Sequence, residues 1–199
     1  MESAPKCPVQ ELALTQGIVR ARSLAELGVS GATLQQILRK GELVRIGRGL
    51  YASPDRTVTE LDHLAQVAIR HPRVVFCLLT ALRVHGLTTQ SPSEVWVAIS
   101  PKARVPKYDF PPLRIVRMSD PGEGITQVAV DDVVHIPVTS IAKTIVDCFK
   151  FRNKIGLDVA LEALRDAWSQ KRVTMDELWE SAEICRMTNV IRPYLESLL

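Results

Sequence analysis

The stretch from Ile18 to Ala52, IVRARSLAELGVSGATLQQILRKGELVRIGRGLYA, restricts the fold more than any other part of the chain. Ala21, Leu24 and Leu27 recur at helical spacing, Gly28 can close that helix at positive φ, and Ser30 stands where the next helix needs an N-cap. In the second helix Leu34, Ile37 and Leu38 fall at i, i+3 and i+4 and are expected to face a core. That leaves Thr33, Gln35, Gln36, Arg39 and Lys40 facing outward. After Gly41, Val44 and Ile46 alternate with Arg45, Gly47-Arg48-Gly49 reverses the chain, and Leu50-Tyr51 returns, which reads as a small β-hairpin presenting two arginines.

Two short helices across a tight turn, followed by a basic hairpin, form the pattern of a winged helix-turn-helix. The chemistry suits duplex DNA. A helix about 10–12 Å across enters the major groove, amides and hydroxyls reach base edges, and cations hold phosphates. The expected DNA-binding set is Ser30, Thr33, Gln35, Gln36, Arg39, Lys40, Arg45 and Arg48. Charge agrees with this placement: residues 1–52 hold 7 basic and 4 acidic residues, residues 53–150 hold 11 and 10, and residues 151–199 hold 7 and 8. The formal excess of +3 is thus matched by the first segment alone. The alternative is a module that docks protein through the same helices and hairpin.

Beyond Ala52 the texture changes. Helical spacing (Leu61, Leu64, Ala65, Ala68) and a second apolar segment, Phe76 to His85, place helices within residues 57–86. Short runs rich in β-branched residues follow between residues 93 and 138: Glu94–Ser100, Leu113–Met118, Thr126–Val130 and Val133–Val138, separated by Pro, Gly and Asp. From Ser140 to the end the spacing is helical, with stripes at Ile141, Ile145, Val146 and Phe149, at Leu157, Leu161, Leu164 and Trp168, and at Leu178, Trp179, Ala182 and Ile184. The fold class expected is α+β. Residues 1–52 form the DNA-binding domain and residues 53–199 a mixed domain ending in a helical tail, with the boundary near Ser53-Pro54-Asp55.

Within that body, Lys102, Arg104, Lys107, Arg114 and Arg117 face Asp109 alone, an excess of +4 over residues 102–117, and form a second DNA surface if they share a face. His85, just before Gly86, is expected to meet a helix C-terminus or a carbonyl, and Lys143 and Asp147, at i and i+4, to brace a helix surface. Trp96, Trp168 and Trp179 read as core.

Other classes are set aside on residues. The 46 % hydrophobic and 24 % charged content is that of a folding chain. No apolar run approaches the roughly 20 residues of a membrane helix, and the start, MESAPKCPVQE, lacks a secretory pattern, so a cytoplasmic location is expected. Cys7, Cys77, Cys148 and Cys185 lie far apart, with no CxxC and no histidine at ligand spacing, so neither metal nor cofactor is expected. No GxSxG, GxxxxGK[ST], HExxH or deaminase signature occurs, and Glu94-Val-Trp and Asp131-Asp132-Val lack the lysine of a restriction-type nuclease, so the chain is not expected to be an enzyme.

Three segments in this order and spacing, GVSGATLQQILRKGELVRIGRGLYASP, LLTALRVHGL and VTSIAKTIVDCF, resemble the AbiEi family of antitoxins and transcriptional regulators. The resemblance runs from about Gly17 to the C-terminus. It implies an N-terminal winged helix that binds inverted repeats in its own promoter, and a C-terminal domain required for antitoxin action. It further implies a type IV toxin-antitoxin system, in which the functional partner is a nucleotidyltransferase-like toxin opposed without a stable complex. Such pairs act in phage defence by abortive infection. The alternative function is a protein-interaction module that neutralises a toxin, or recruits a partner, by direct binding.

Overall fold

The computed structural model describes residues 8–198 as an α+β protein. Its contacts fall into two units. One extends to Pro72 and also takes in Ala129–Ile136; the other holds Arg73–Val128 and the chain from Pro137 onward. The expected boundary at Ser53–Asp55 therefore lies inside the first unit.

The first unit contains α1 (Pro8–Gln16), β1 (Ile18–Arg20), α2 (Ala21–Glu26), α3 (Gly31–Arg39), β2 (Val44–Gly47), β3 (Leu50–Ala52) and α4 (Asp62–Arg70). Gly17, at φ +67°, turns α1 into β1, a strand of three residues that no periodicity marks in the sequence. The β-branched pair Ile18-Val19 is buried there, and β1 completes an antiparallel sheet in the order β1-β3-β2, with Val19 opposite Tyr51 and Arg45 opposite Tyr51 on the other side. Under this sheet Val9, Ala13, Leu24, Ile37, Leu43 and Tyr51 form one apolar cluster, with Leu34 and Leu38 packed against it. Leu27 departs from expectation: it is the C-cap of α2 and is 50 % exposed, because the helix ends at Glu26 before a further turn could carry Leu27 inward.

An ion cluster ties distant parts of this unit together. Arg56 grips Asp62 with two nitrogens, Nη1 to Oδ2 at 2.6 Å and Nη2 to Oδ1 at 3.1 Å, while its Nε donates to Asp131 Oδ2 at 2.7 Å. Asp131 Oδ1 also accepts from the Val133 and Val134 amides, at 2.8 and 2.6 Å. Burial opposes the charge on both carboxylates, but these hydrogen bonds and the guanidinium outweigh it and hold Asp62 and Asp131 below the usual carboxylate range.

The second unit is built on β4 (Val75–Phe76), α5 (Leu78–Val84), β5 (Val95–Ile99), β6 (Leu113–Arg117), β7 (Ile125–Ala129, its last residue counted with the first unit), β8 (His135–Thr139, its first two residues counted with the first unit), α6 (Ile141–Lys150), α7 (Arg152–Ile155), α8 (Leu157–Ser169), α9 (Met175–Ile184) and α10 (Thr188–Glu196). Five strands form one mixed sheet in the order β6-β5-β4-β8-β7. β5 and β6 run parallel from Val95↔Leu113 to Ile99↔Arg117, whereas β4 joins β5 through Val75↔Ala98 and Phe76↔Val97, and β8 through Phe76↔Val138.

The four expected strands are present, and β4 is an addition too short for any period to reveal. Helix α6 is buried from Ala142 to Phe149 rather than along one stripe. The inner face of α8 is Val159, Ala160, Ala163, Leu164 and Ala167, so the expected Leu157, Leu161, Leu164, Trp168 stripe is rotated; alanines allow the close approach of α6. In α9, Leu178 and Ala182 are buried while Ile184 is 43 % exposed. Among the described residues no helix is long and apolar enough to cross a membrane. Cys7 lies outside the described residues; Cys77, Cys148 and Cys185 are buried free thiols.

Candidate nucleic-acid interface

The geometry of α3 follows from its ends. Ser30 Oγ accepts from the Thr33 amide at 3.1 Å, satisfying one of the free N–H groups of the first turn, and Gly41 at φ +71° lets the chain leave after the C-cap residue Lys40. Ile37 is buried and Leu34 and Leu38 are half-buried, so the helix is held by one face. Gln35, Gln36 and Arg39 then share the opposite face at i, i+1 and i+4, flanked by Thr33 and Lys40, and all five are exposed. No acidic residue occupies the first turn of α3. Of this set, Thr33 Oγ1 lies 2.8 Å from Ser30 Oγ, and Lys40 Nζ lies 3.9 Å from Glu42 Oε1.

The hairpin presents its cations through β2, β3 and the turn between them. Gly49 takes φ +71° in that turn, and the register slips between Arg45 and Gly47. Arg45 and Arg48 are both exposed, and Arg45 Nε donates to the carbonyl of Gly47 at 3.3 Å. The expected in-out alternation of β2 is blurred. Val44 is exposed along with Arg45, as suits the free edge of a three-stranded sheet.

Residues 8–54 match the AbiEi antitoxin family of transcriptional regulators. The AbiEi match spans α1 through β3 and so contains all eight residues of the expected DNA-binding set. Among solved structures, the RV2827C protein from Mycobacterium tuberculosis has a similar fold, with a TM-score of 0.55 at 13 % identity, covering 89 % of this chain and 72 % of that chain. No curated protein matches.

Beyond the AbiEi match, in the second unit, the five basic residues of the 102–117 stretch separate into two groups. Arg114 stacks its guanidinium 5.6 Å from the centre of the buried Trp96 ring and lies 3.9 Å from Glu94. Arg117 Nη1 donates to the carbonyls of Ser100 (3.3 Å), Pro101 and Ala103 (3.1 Å), bracing the loop that leaves β5. Lys102, Arg104 and Lys107 are exposed on that loop.

The remaining polar candidates of this unit lie inside it. Lys143 and Asp147 do not brace a surface; their side chains are 6 % and 2 % exposed, with Nζ 3.1 Å from Oδ2. Cys185 Sγ, 3.5 Å from Lys143 Nζ and 3.5 Å from Asp147 Oδ1, completes the cluster, a partner no spacing could reveal. Burial pushes the Asp147 carboxyl and the Cys185 thiol up, while the Asp147 carboxylate outweighs burial and keeps Lys143 charged. Nearby, His85 Nε2 donates to the Thr139 carbonyl at 2.7 Å and borders an open cavity of about 600 Å³ with Glu123, Ser140, Arg172, Glu180 and Ser181. Burial holds the His85 imidazole below its ordinary value, which suits a neutral ring fixed by one hydrogen bond. His85 thus meets a carbonyl of β8 rather than the end of its own helix.

Proposed function

We propose that this chain is a repressor and type IV antitoxin whose first unit reads inverted-repeat promoter DNA through a winged helix. The observation that carries the reading is the outward face of α3, where Gln35, Gln36 and Arg39 are exposed together, followed in the chain by a hairpin whose Arg45 and Arg48 are also exposed. In this reading α3 enters the major groove, Gln35, Gln36, Arg39 and Thr33 reach base edges, Ser30 caps the helix near a phosphate, and Lys40, Arg45 and Arg48 hold the backbone. The AbiEi match supports both the regulator and the antitoxin role. The functional partner is a nucleotidyltransferase-like toxin, opposed without a stable complex, and the setting is the cytoplasm and phage defence.

Binding of the full chain to the DNA upstream of its own gene, measured against random duplex by gel shift over a salt series, tests the reading. A preference for the upstream fragment that declines steeply with salt is expected. Equal binding to both duplexes, or a complex with the neighbouring gene product that survives high salt, favours the interaction module instead.

A further inference from the structure

The loop from Ser100 to Pro112 connects β5 to β6, and its length follows from the parallel pairing of those strands, which a tight turn cannot join. It contains no helix, yet its base is held. The Ala103 amide donates to the Ser100 carbonyl at 3.0 Å, the Val95 amide to the Pro112 carbonyl at 2.9 Å, and Arg117 holds three carbonyls at its start. Prolines at 101, 106, 111 and 112 fix φ along its course. On this arm stand three exposed cations, Lys102, Arg104 and Lys107, against one exposed carboxylate, Asp109, and two aromatic rings, the half-buried Tyr108 and Phe110, which is 82 % exposed. No other large hydrophobic side chain among the described residues is as exposed.

We propose that this arm binds single-stranded nucleic acid, with Lys102, Arg104 and Lys107 on phosphates and Phe110 stacked on an unpaired base. A positively charged backbone track with an aromatic platform is the chemistry that sequence-tolerant single-strand binders use. A stacked duplex presents base edges rather than faces, so Phe110 meets a base face there only after a step is opened; an unpaired base offers its face directly. An acidic peptide would satisfy the cations, but the exposed apolar side chains are Val105 and one planar ring, Phe110, rather than the alternating pockets by which extended peptides are read. The proposal stands independently of the promoter-binding reading, since it uses no residue of the first unit.

Fluorescence anisotropy of the full chain tests it, with labelled twelve-nucleotide oligo(dT) and oligo(U), a random duplex of the same length, and a poly-glutamate peptide as competitor. The expected result is single-strand binding that weakens about tenfold in Phe110→Ala and Phe110→Leu and returns in Phe110→Trp, with the melting temperature unchanged. The triple change Lys102→Gln, Arg104→Gln, Lys107→Gln is expected to lower the salt slope by about 2. No binding to either oligomer overturns the proposal. So does unchanged affinity in Phe110→Leu, a stronger Phe110-dependent affinity for the duplex, or displacement of the oligomer by poly-glutamate at equal charge.

Discussion

Ser30 Oγ accepts the Thr33 amide at 3.1 Å while lying 2.8 Å from Thr33 Oγ1, so one side chain both starts α3 and fixes the first outward residue of its exposed face. Ser30→Ala removes the cap and is expected to cost about 1 kcal/mol of stability. Ser30→Asp keeps a cap and suits the helix dipole, yet places a negative charge where the proposal puts phosphate. Thermal melting should therefore rank Asp near wild type and Ala below it, while promoter affinity falls more in Asp than in Ala. An Asp variant with undiminished affinity would remove Ser30 from the interface.

Base and phosphate contacts separate by their selectivity. Gln36→Ala is expected to relax preference at one operator position by about 1–3 kcal/mol. Lys40→Ala should weaken all sequences alike and lower the salt slope by about 1. Selection of binding sites from randomised duplex, together with a salt titration, checks both.

The Arg56 cluster carries an acid-sensitive share of stability. Asp62 and Asp131 have folded-state values below their unfolded ones, so the stability they add is present above the unfolded value of about 3.9 and is lost as pH falls through the folded values. Arg56→Ala strands two largely buried carboxylates and is expected to cost about 3 kcal/mol at pH 7. Urea denaturation should also show a smaller loss between pH 5 and pH 2 in the variant than in wild type.

The Lys143–Asp147 pair predicts the opposite pH response in a variant. Lys143→Met leaves the Asp147 carboxyl buried without its cation, so its folded value rises further above the unfolded one. A group raised on folding favours the folded state at low pH. The variant, destabilised by about 3 kcal/mol at pH 7, should thus regain stability as pH is lowered towards 5. The double change Lys143→Met, Asp147→Leu should lie closer to wild type than either single change, and a double-mutant cycle measures the difference.

The α3 face was legible in the sequence because its cap, its period and its closing glycine are local signals, each within a few residues of the structure it specifies. The bodies of α4, α5 and the four longer strands were legible for the same reason. β1 and β4 were not, since three and two residues carry no period and become strands only through their partners β3 and β5. The polar residues of α6 suggested a solvent face because Cys185, distant in sequence, is what completes their buried cluster. In the basic stretch, the charge excess was visible but its division was not: Arg114 is turned to Trp96 and Arg117 to backbone carbonyls by the geometry of the sheet edge and loop.

The shortness of β4 has a mechanical meaning. The ribbon of β5 and β6 and the ribbon of β8 and β7 are stitched together at Val75 and Phe76, with Phe76 opposite Val97 on one side and Val138 on the other. On the β8 side that seam is a single residue pair, Phe76 with Val138, so the backbone continuity of the five-stranded sheet passes from one ribbon to the other through one position.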